Sequence, residues 1–204
     1  MQDRGNVMVF IEHRDGEPAE VSLELMSKAQ QLARTLGVGM EAAVIGPGYG
    51  YAKESLGRFG CQRVYAVEHA GLDGFTSVPY AKALVHIIAT CEPQIVLFGA
   101  TTTGRDLAPR VASELQCGLT ADCSDLQIGE HKVKGQVYSN ILLQIRPAFG
   151  GNIVATIVSP NSSPSMATVR EGVMSKRERA SWEPAQVVSL DAHFSAADFP
   201  TRIL

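Results

Sequence analysis

Apolar and polar positions along this chain alternate between two rhythms. Buried-type strands are expected at Val7 to Ile11, Glu41 to Ile45, Arg63 to Val67 and Ile95 to Phe98, where apolar residues run without a regular polar partner. Between them the spacing changes. Leu25, Ala29, Leu32, Ala33 and Leu36 share one face of a helix predicted from about Ser22 to Leu36, with Gly37 as its stop. A short helix is predicted around Ala52 to Phe59. Tyr80, Leu84, Ile87, Ile88 and Cys91 mark another from about Ser77 to Cys91, with Pro79 in its first turn and Pro93 beyond its end. Strands alternating with helices of this length imply right-handed crossovers, and hence a parallel sheet covered on both faces. The expected fold is a doubly wound α/β domain.

After Gly118 the helical rhythm stops. Leu119 to Ala121, Leu126 to Ile128, Lys132 to Tyr138, Ile141 to Ile145 and Ile153 to Val158 read as strands. Gly129-Glu130-His131 and Ser139-Asn140 are short enough to be hairpin turns, so an additional small antiparallel sheet is expected. Met166 to Val173 reads as a further strand, Ser175 to Arg179 as a solvated charged turn or short helix, and Val187 to Leu190 as a last strand. Residues 191–204 read as a linker, because Phe194, Phe199, Ile203 and Leu204 follow with nothing downstream to cover them. The expected division is therefore a domain over residues 1–190 and a linker over 191–204, in a fragment of a longer chain.

Bulk composition narrows the function classes. With 204 residues, 45% of them hydrophobic, the chain can bury one well-cored domain. Its 18 Lys and Arg nearly balance 21 Asp and Glu without a basic stripe, which argues against nucleic acid or an anionic membrane as partner. The polar start MQDRGNV has no apolar signal core, and no run approaches the ~18 apolar residues of a membrane span. A cytoplasmic protein with no membrane insertion is expected. The four cysteines lack C-x-x-C spacing and the five histidines form no ligand pattern, so they read as reduced structural thiols and no metal site is assigned.

The candidate chemistry starts at Ile95 to Leu115, which reads strand, loop, helix. Pro109 is expected in the first turn, placing the helix start between about Gly104 and Pro109. Thr101, Thr102 and Thr103 then lie between a strand's carboxyl end and a helix's amino end, where open parallel sheets bind anions. The glycine pattern of Thr101 to Arg105 is neither a P-loop nor G-x-G-x-x-G, so a helix-capping turn, with Arg105 and Asp106 fixing neighbouring strands or a subunit contact, stands beside the phosphate cradle. Arg146, just before proline at the end of an apolar strand, can reach toward a partner's ligand or pair with a nearby carboxylate. Glu12-His13 reads as a surface pair, since neighbours on a strand point to opposite faces. Trp182, Tyr49, Tyr51 and Tyr65 read as scattered packing residues.

The stretch FGATTTGRDLAPRVASELQCGLTADC, read with RPAFGGN at Arg146 to Asn152, resembles the amino-terminal domain of the electron transfer flavoprotein alpha subunit. The resemblance runs from Val7 to about Leu190. It implies an adenine nucleotide alpha-hydrolase-like sheet of order 3-2-1-4-5, with Glu12-His13-Arg14 and Thr101–Arg105 facing one crevice. It also implies a non-catalytic scaffold and docking domain that pairs with a beta subunit. In the complete protein FAD would sit in a second domain beyond Leu204, so no tightly bound FAD is expected on this chain. Electrons would pass from acyl-CoA dehydrogenase-like flavoenzymes to a quinone-linked acceptor, though some relatives divide them between two flavins. The crevice would hold no nucleotide, whereas Arg146 would lie near the nucleotide or flavin of the beta subunit. One positive charge ~4 Å from a flavin, at an effective dielectric near ~20, favours its negatively charged form by up to ~4 kcal/mol, or ~170 mV for one electron. The rival reading is a stand-alone adenine-nucleotide-binding module of universal-stress type, using the Thr101–Arg105 loop. An ATP-pyrophosphatase is a poorer fit, because no S-G-G-x-D-S-like loop follows the first strand.

Overall fold

The computed structural model describes residues 5–148 and 153–201. Its opening strand β1 (Val7–Ile11) is buried along its whole length, as is expected where both faces of a parallel sheet are covered. A two-residue ladder, β2 (His13–Arg14) and β3 (Glu17–Pro18), turns the chain into α1 (Glu20–Leu36). Gly37, at φ 70°, ends α1 in the left-handed conformation that glycine adopts without penalty. Then follow β4 (Met40–Ile45), α2 (Ala52–Gly57), β5 (Arg63–Val67), α3 (Ser77–Cys91), β6 (Ile95–Gly99) and α4 (Thr102–Glu114). The remaining strands are β7 (Leu119–Cys123), β8 (Asp125–Val133), β9 (Gln136–Ala148), β10 (Ile153–Ile157), β11 (Ser165–Val169) and β12 (Gln186–Ser189).

Seven strands form one parallel sheet in the order β12-β5-β4-β1-β6-β11-β7. The expected 3-2-1-4 arrangement is present as β5-β4-β1-β6, and β11 takes the next place. One face packs on α1 and α2 through Val9, Ile11, Leu25, Met26, Leu56 and Phe59. The other packs on α3 and α4 through Phe10, Leu84, Ile87, Phe98, Leu107 and Val111. The alternation of Met8 and Phe10 with Val7, Val9 and Ile11 between these two cores is the period-2 signature of a strand sandwiched by helices.

Four expectations need correction. Leu119–Cys123 belongs to the large sheet, pairing with β11 in parallel at its edge. The antiparallel sheet, in the order β10-β9-β8, is an excursion between β7 and β11. Its hairpin turns at Lys134-Gly135, whose φ values of 47° and 90° match the twist of the strands. Gly129 to His131 and Ser139-Asn140 lie inside the ladder as a bulge, and the left-handed Asn140 absorbs the extra residue. Pro109 sits well inside α4, which starts at Thr102. The carbonyl of Arg105 loses its helical donor there, but both residues are exposed and water can take its place. Finally, Phe194 and Phe199 are covered by this chain itself. They pack on the α3 side of the core and flank His69, with ring centroids 5.1 and 5.0 Å away. Lys82 holds the adjoining turn through Asp198 at 2.8 Å. Ile203 and Leu204 lie outside the described residues.

From β11 the chain crosses the α1 face as an irregular strap to reach β12, which explains the buried polar residues of α1. Glu24 accepts the Gly172 N–H at 3.0 Å, and the Ser27 hydroxyl accepts the Arg177 N–H at 2.8 Å. Backbone donors of the strap that would otherwise be orphaned are satisfied by a helix side. The small sheet is tied to the same helix by Lys28, which donates to Asp125 at 2.8 Å. Among the described residues no helix is long and apolar enough to cross a membrane.

Candidate functional site

Carboxyl ends of parallel strands collect loops and helix amino termini, and there the sheet presents two places of opposite character. The first is the crevice beside β1. Glu12 follows β1, and the Thr101 hydroxyl donates to its carboxylate, with both oxygens at 2.8 Å. The same hydroxyl accepts the Gly104 N–H at 2.9 Å, so Thr101 is the N-cap of α4. Thr101–Arg105 is therefore the helix-capping turn of the two readings weighed above, and the anion at this helix end is a carboxylate of the chain itself.

Glu12 is consequently a half-buried structural partner, which corrects the expectation of a surface pair. Burial pushes its pKa up, the Thr101 hydrogen bond opposes that, and the charge of Glu171 adds to it. His13 turns the other way, with Nε2 3.0 Å from the Ile45 carbonyl and its ring against Tyr51. The loops Glu12-His13-Arg14 and Thr101–Arg105 do meet at one crevice, a cavity of about 960 Å³. Its floor is apolar, with Phe10, Phe75 and Tyr80. Its rim carries Glu12, Asp15, Glu17 and Asp73 against Arg14, which is already paired with Asp15 at 3.6 Å. Four carboxylates around one engaged guanidinium repel a phosphate chain.

The second place is the outer edge of the sheet. Asp122 in β7 is held at φ 63°, and its N–H donates to the Thr168 hydroxyl at 2.9 Å. That conformation aims the carboxylate at two arginines: Arg170, just past β11, at 2.7 Å, and Arg105, in the first turns of α4, at 3.4 Å. The hydrogen bond from Arg170 leads in holding the Asp122 carboxyl below its ordinary range, and the charges of Arg105 and Arg146 lower it further. Arg146 is thereby placed within electrostatic reach of the cluster. It sits on β9 opposite Ala155 of β10, half-buried, and forms no ion pair among the described residues. Its positive charge also acts on Cys123, although burial dominates there and raises the thiol to about 11. Arg105 and Arg170 thus pair with Asp122, and the charge of Arg146 acts on the same carboxylate. Residues 149–152, the rest of the RPAFGGN motif, lie outside the described residues.

Sequence reasoning missed Asp122 and Arg170, and it missed Gln144. Gln144 is two residues before Arg146 on β9, fully buried, and both polar atoms of its amide lack a partner among the described residues. A lone polar residue inside the apolar run Ile141 to Ile145 was the available signal. The other candidates are structural. Trp182 lies under Arg58, 5.5 Å from guanidinium carbon to ring centroid, whereas Tyr65 bonds to the buried Glu41, so no stacking platform forms. All four cysteines are free, and burial raises every thiol, that of Cys91 to about 12, which leaves them protonated and weakly nucleophilic at neutral pH. No metal-ligating group of His, Cys, Asp and Glu is present among the described residues.

In the small sheet Val137, Ile153 and Val154 are exposed, Val137 next to the hairpin turn and the other two at the far end of the ladder, on opposite faces of β10.

Comparison with known proteins agrees with the fold. The electron transfer flavoprotein domain family matches residues 7–195. The chain is 40% identical, over all of its 204 residues, to the electron transfer flavoprotein subunit alpha of Thermoanaerobacterium thermosaccharolyticum, and covers 59% of that protein. It is 38% identical to the corresponding subunit of Clostridium acetobutylicum, with 98% of this chain and 58% of the relative covered. It is 34% identical to the acryloyl-CoA reductase electron transfer subunit beta of Anaerotignum propionicum, with 98% and 59% covered. The chain thus spans somewhat over half the length of these relatives, and it belongs to the electron transfer flavoprotein family.

Proposed function

We propose that this chain is the scaffold and docking part of an electron transfer flavoprotein alpha subunit, without catalytic activity of its own. The observation that carries this reading is the charge at the outer edge of the sheet, where Arg105 and Arg170 pair with Asp122 and the charge of Arg146 reaches the same carboxylate. Positive charge fixed on rigid strands and a helix stabilises a negative group brought to it by another subunit, with little reorganisation. The partner on this reading is a beta subunit carrying a nucleotide or flavin, in a cytoplasmic heterodimer.

FAD in the complete protein belongs to a further domain, where it supplies the electron-carrying chemistry. This chain's residues orient and bias: Arg146 toward the partner's cofactor, Asp122 by holding Arg105 and Arg170 in place. Residues 191–204 lead toward that further domain. Acyl-CoA dehydrogenase-like flavoenzymes donate and a quinone-linked carrier accepts, and no nucleic acid or membrane is involved.

Co-expression with a beta subunit and size-exclusion chromatography test the reading. The expected result is a one-to-one complex containing flavin, while the 204-residue chain purified alone is colourless. A chain that carries stoichiometric flavin by itself overturns it.

A further inference from the structure

A cavity of about 450 Å³ lies between the second half of α1 and the strap at residues 177–181. It lies toward the amino ends of the parallel strands, since α1 ends there and Gly60 is three residues before β5. It is therefore separate from both places described above. Arg34 comes from α1, and Arg177 and Arg179 come from the strap. None of the three guanidinium groups is in an ion pair among the described residues. The one carboxylate in the wall, Glu178, is turned to Arg58 at 3.8 Å.

The backbone here is pinned. The Arg177 N–H donates to the Ser27 hydroxyl at 2.8 Å, and the Arg179 N–H to the Arg58 carbonyl at 2.8 Å. Gly60 makes room as well. At φ 86°, it occupies a position where a Cβ would run into the Gln30 amide and the Arg179 side chain, so its missing side chain lets these two groups lie together. The wall then carries three guanidinium groups and the side-chain amides of Gln30 and Gln31, all able to donate.

We propose that this cavity is a binding site for a small phosphate-bearing anion, held by Arg34, Arg177 and Arg179. Guanidinium groups match phosphate oxygens in pairs, and the backbone that carries Arg177 and Arg179 is held in place by its own hydrogen bonds. The size of the cavity is that of a small-molecule site.

The test is a calorimetric titration of the 204-residue chain with inorganic pyrophosphate, alongside amide chemical shifts in a labelled sample. Saturable one-to-one binding is expected, with shifts at the Gln30 and Gln31 side-chain amides. The double variant Arg177→Gln/Arg179→Gln weakens binding at least ~10-fold. Arg34→Gln, which leaves the strap intact, weakens it too, and Arg14→Gln does not. Thermal unfolding checks that the variants remain folded. Absence of saturation overturns the proposal. So do affinity unchanged in Arg34→Gln and in the double variant, or shifts confined to Arg105 and Arg170.

Discussion

The crevice beside β1 and the outer edge beside β7 sit at the carboxyl ends of the same parallel strands, yet they carry opposite charge. In the crevice, the amino terminus of α4 is met by Glu12 through Thr101, and four carboxylates line the rim. At the edge, the same helix sends Arg105 toward Asp122, where Arg170 and Arg146 gather. One turn of helix separates Thr101 from Arg105. The comparison teaches that a doubly wound sheet offers a location for anion binding but does not commit to its use. The side chain following β1 closes one location, and arginines from α4, β9 and the end of β11 open another.

The closed crevice breaks most severely at Gly104. A Cβ there would meet the Gly99 carbonyl, a backbone atom that cannot step aside. Gly104→Ala should lower stability by about 2–3 kcal/mol in denaturant unfolding, from overpacking against the strand. Thr101→Ala comes next. It removes the cap of α4 and the partner of Glu12 together, for an expected loss of about 1–2 kcal/mol. An unchanged midpoint in Thr101→Ala would mean that the Glu12 contact and the cap contribute nothing to stability.

Glu12→Gln has a smaller effect whose sign depends on pH. The folded pKa of Glu12 is raised, so the group's stabilising contribution is complete below its ordinary value of 4.5 and is lost as pH rises through the folded value. Glutamine keeps an acceptor for Thr101 and does not titrate. The stability of Glu12→Gln relative to the parent should therefore climb as pH rises above 4.5, as thermal midpoints can check. A flat difference would show that burial does not disfavour the Glu12 charge.

At the open edge, Asp122→Asn is the mildest change, under about 1 kcal/mol at neutral pH, because its ion pairs are partly exposed. The folded pKa of Asp122 is lowered, so its contribution exists above its ordinary value of 3.8 and disappears as pH falls through the folded value. The parent's advantage over Asp122→Asn should vanish in that acid window. An advantage persisting into stronger acid would place the effect in packing.

Much of the large sheet was legible because β1, β4, β5 and β6 are buried on both faces and therefore read as unbroken apolar runs. β7 was harder. As an edge strand it is only partly buried, and its pattern resembles that of an antiparallel strand. Ser139-Asn140 misled because the residues that tolerate a turn also tolerate a bulge. Pro109 misled because a helix interior excludes proline least where the freed carbonyl faces solvent. Within the site, Arg146 stood out by its place before Pro147. Asp122 and Arg170 did not, since 48 residues separate them and only the insertion of β11 between β6 and β7 brings them together. The Glu12 to Thr101 contact was implied only as far as two loops facing one crevice.

The account turns on whether the charge at the open edge acts on a cofactor held by another subunit. Spectroelectrochemical titration of the flavin in the assembled complex tests this directly, with Arg146→Gln compared to the parent and to Arg146→Lys. A fall in the one-electron potential of tens of millivolts is predicted for Arg146→Gln, bounded by the ~170 mV of an unscreened charge, with most of it restored by lysine. A potential that is the same in the parent and in Arg146→Gln would contradict the account.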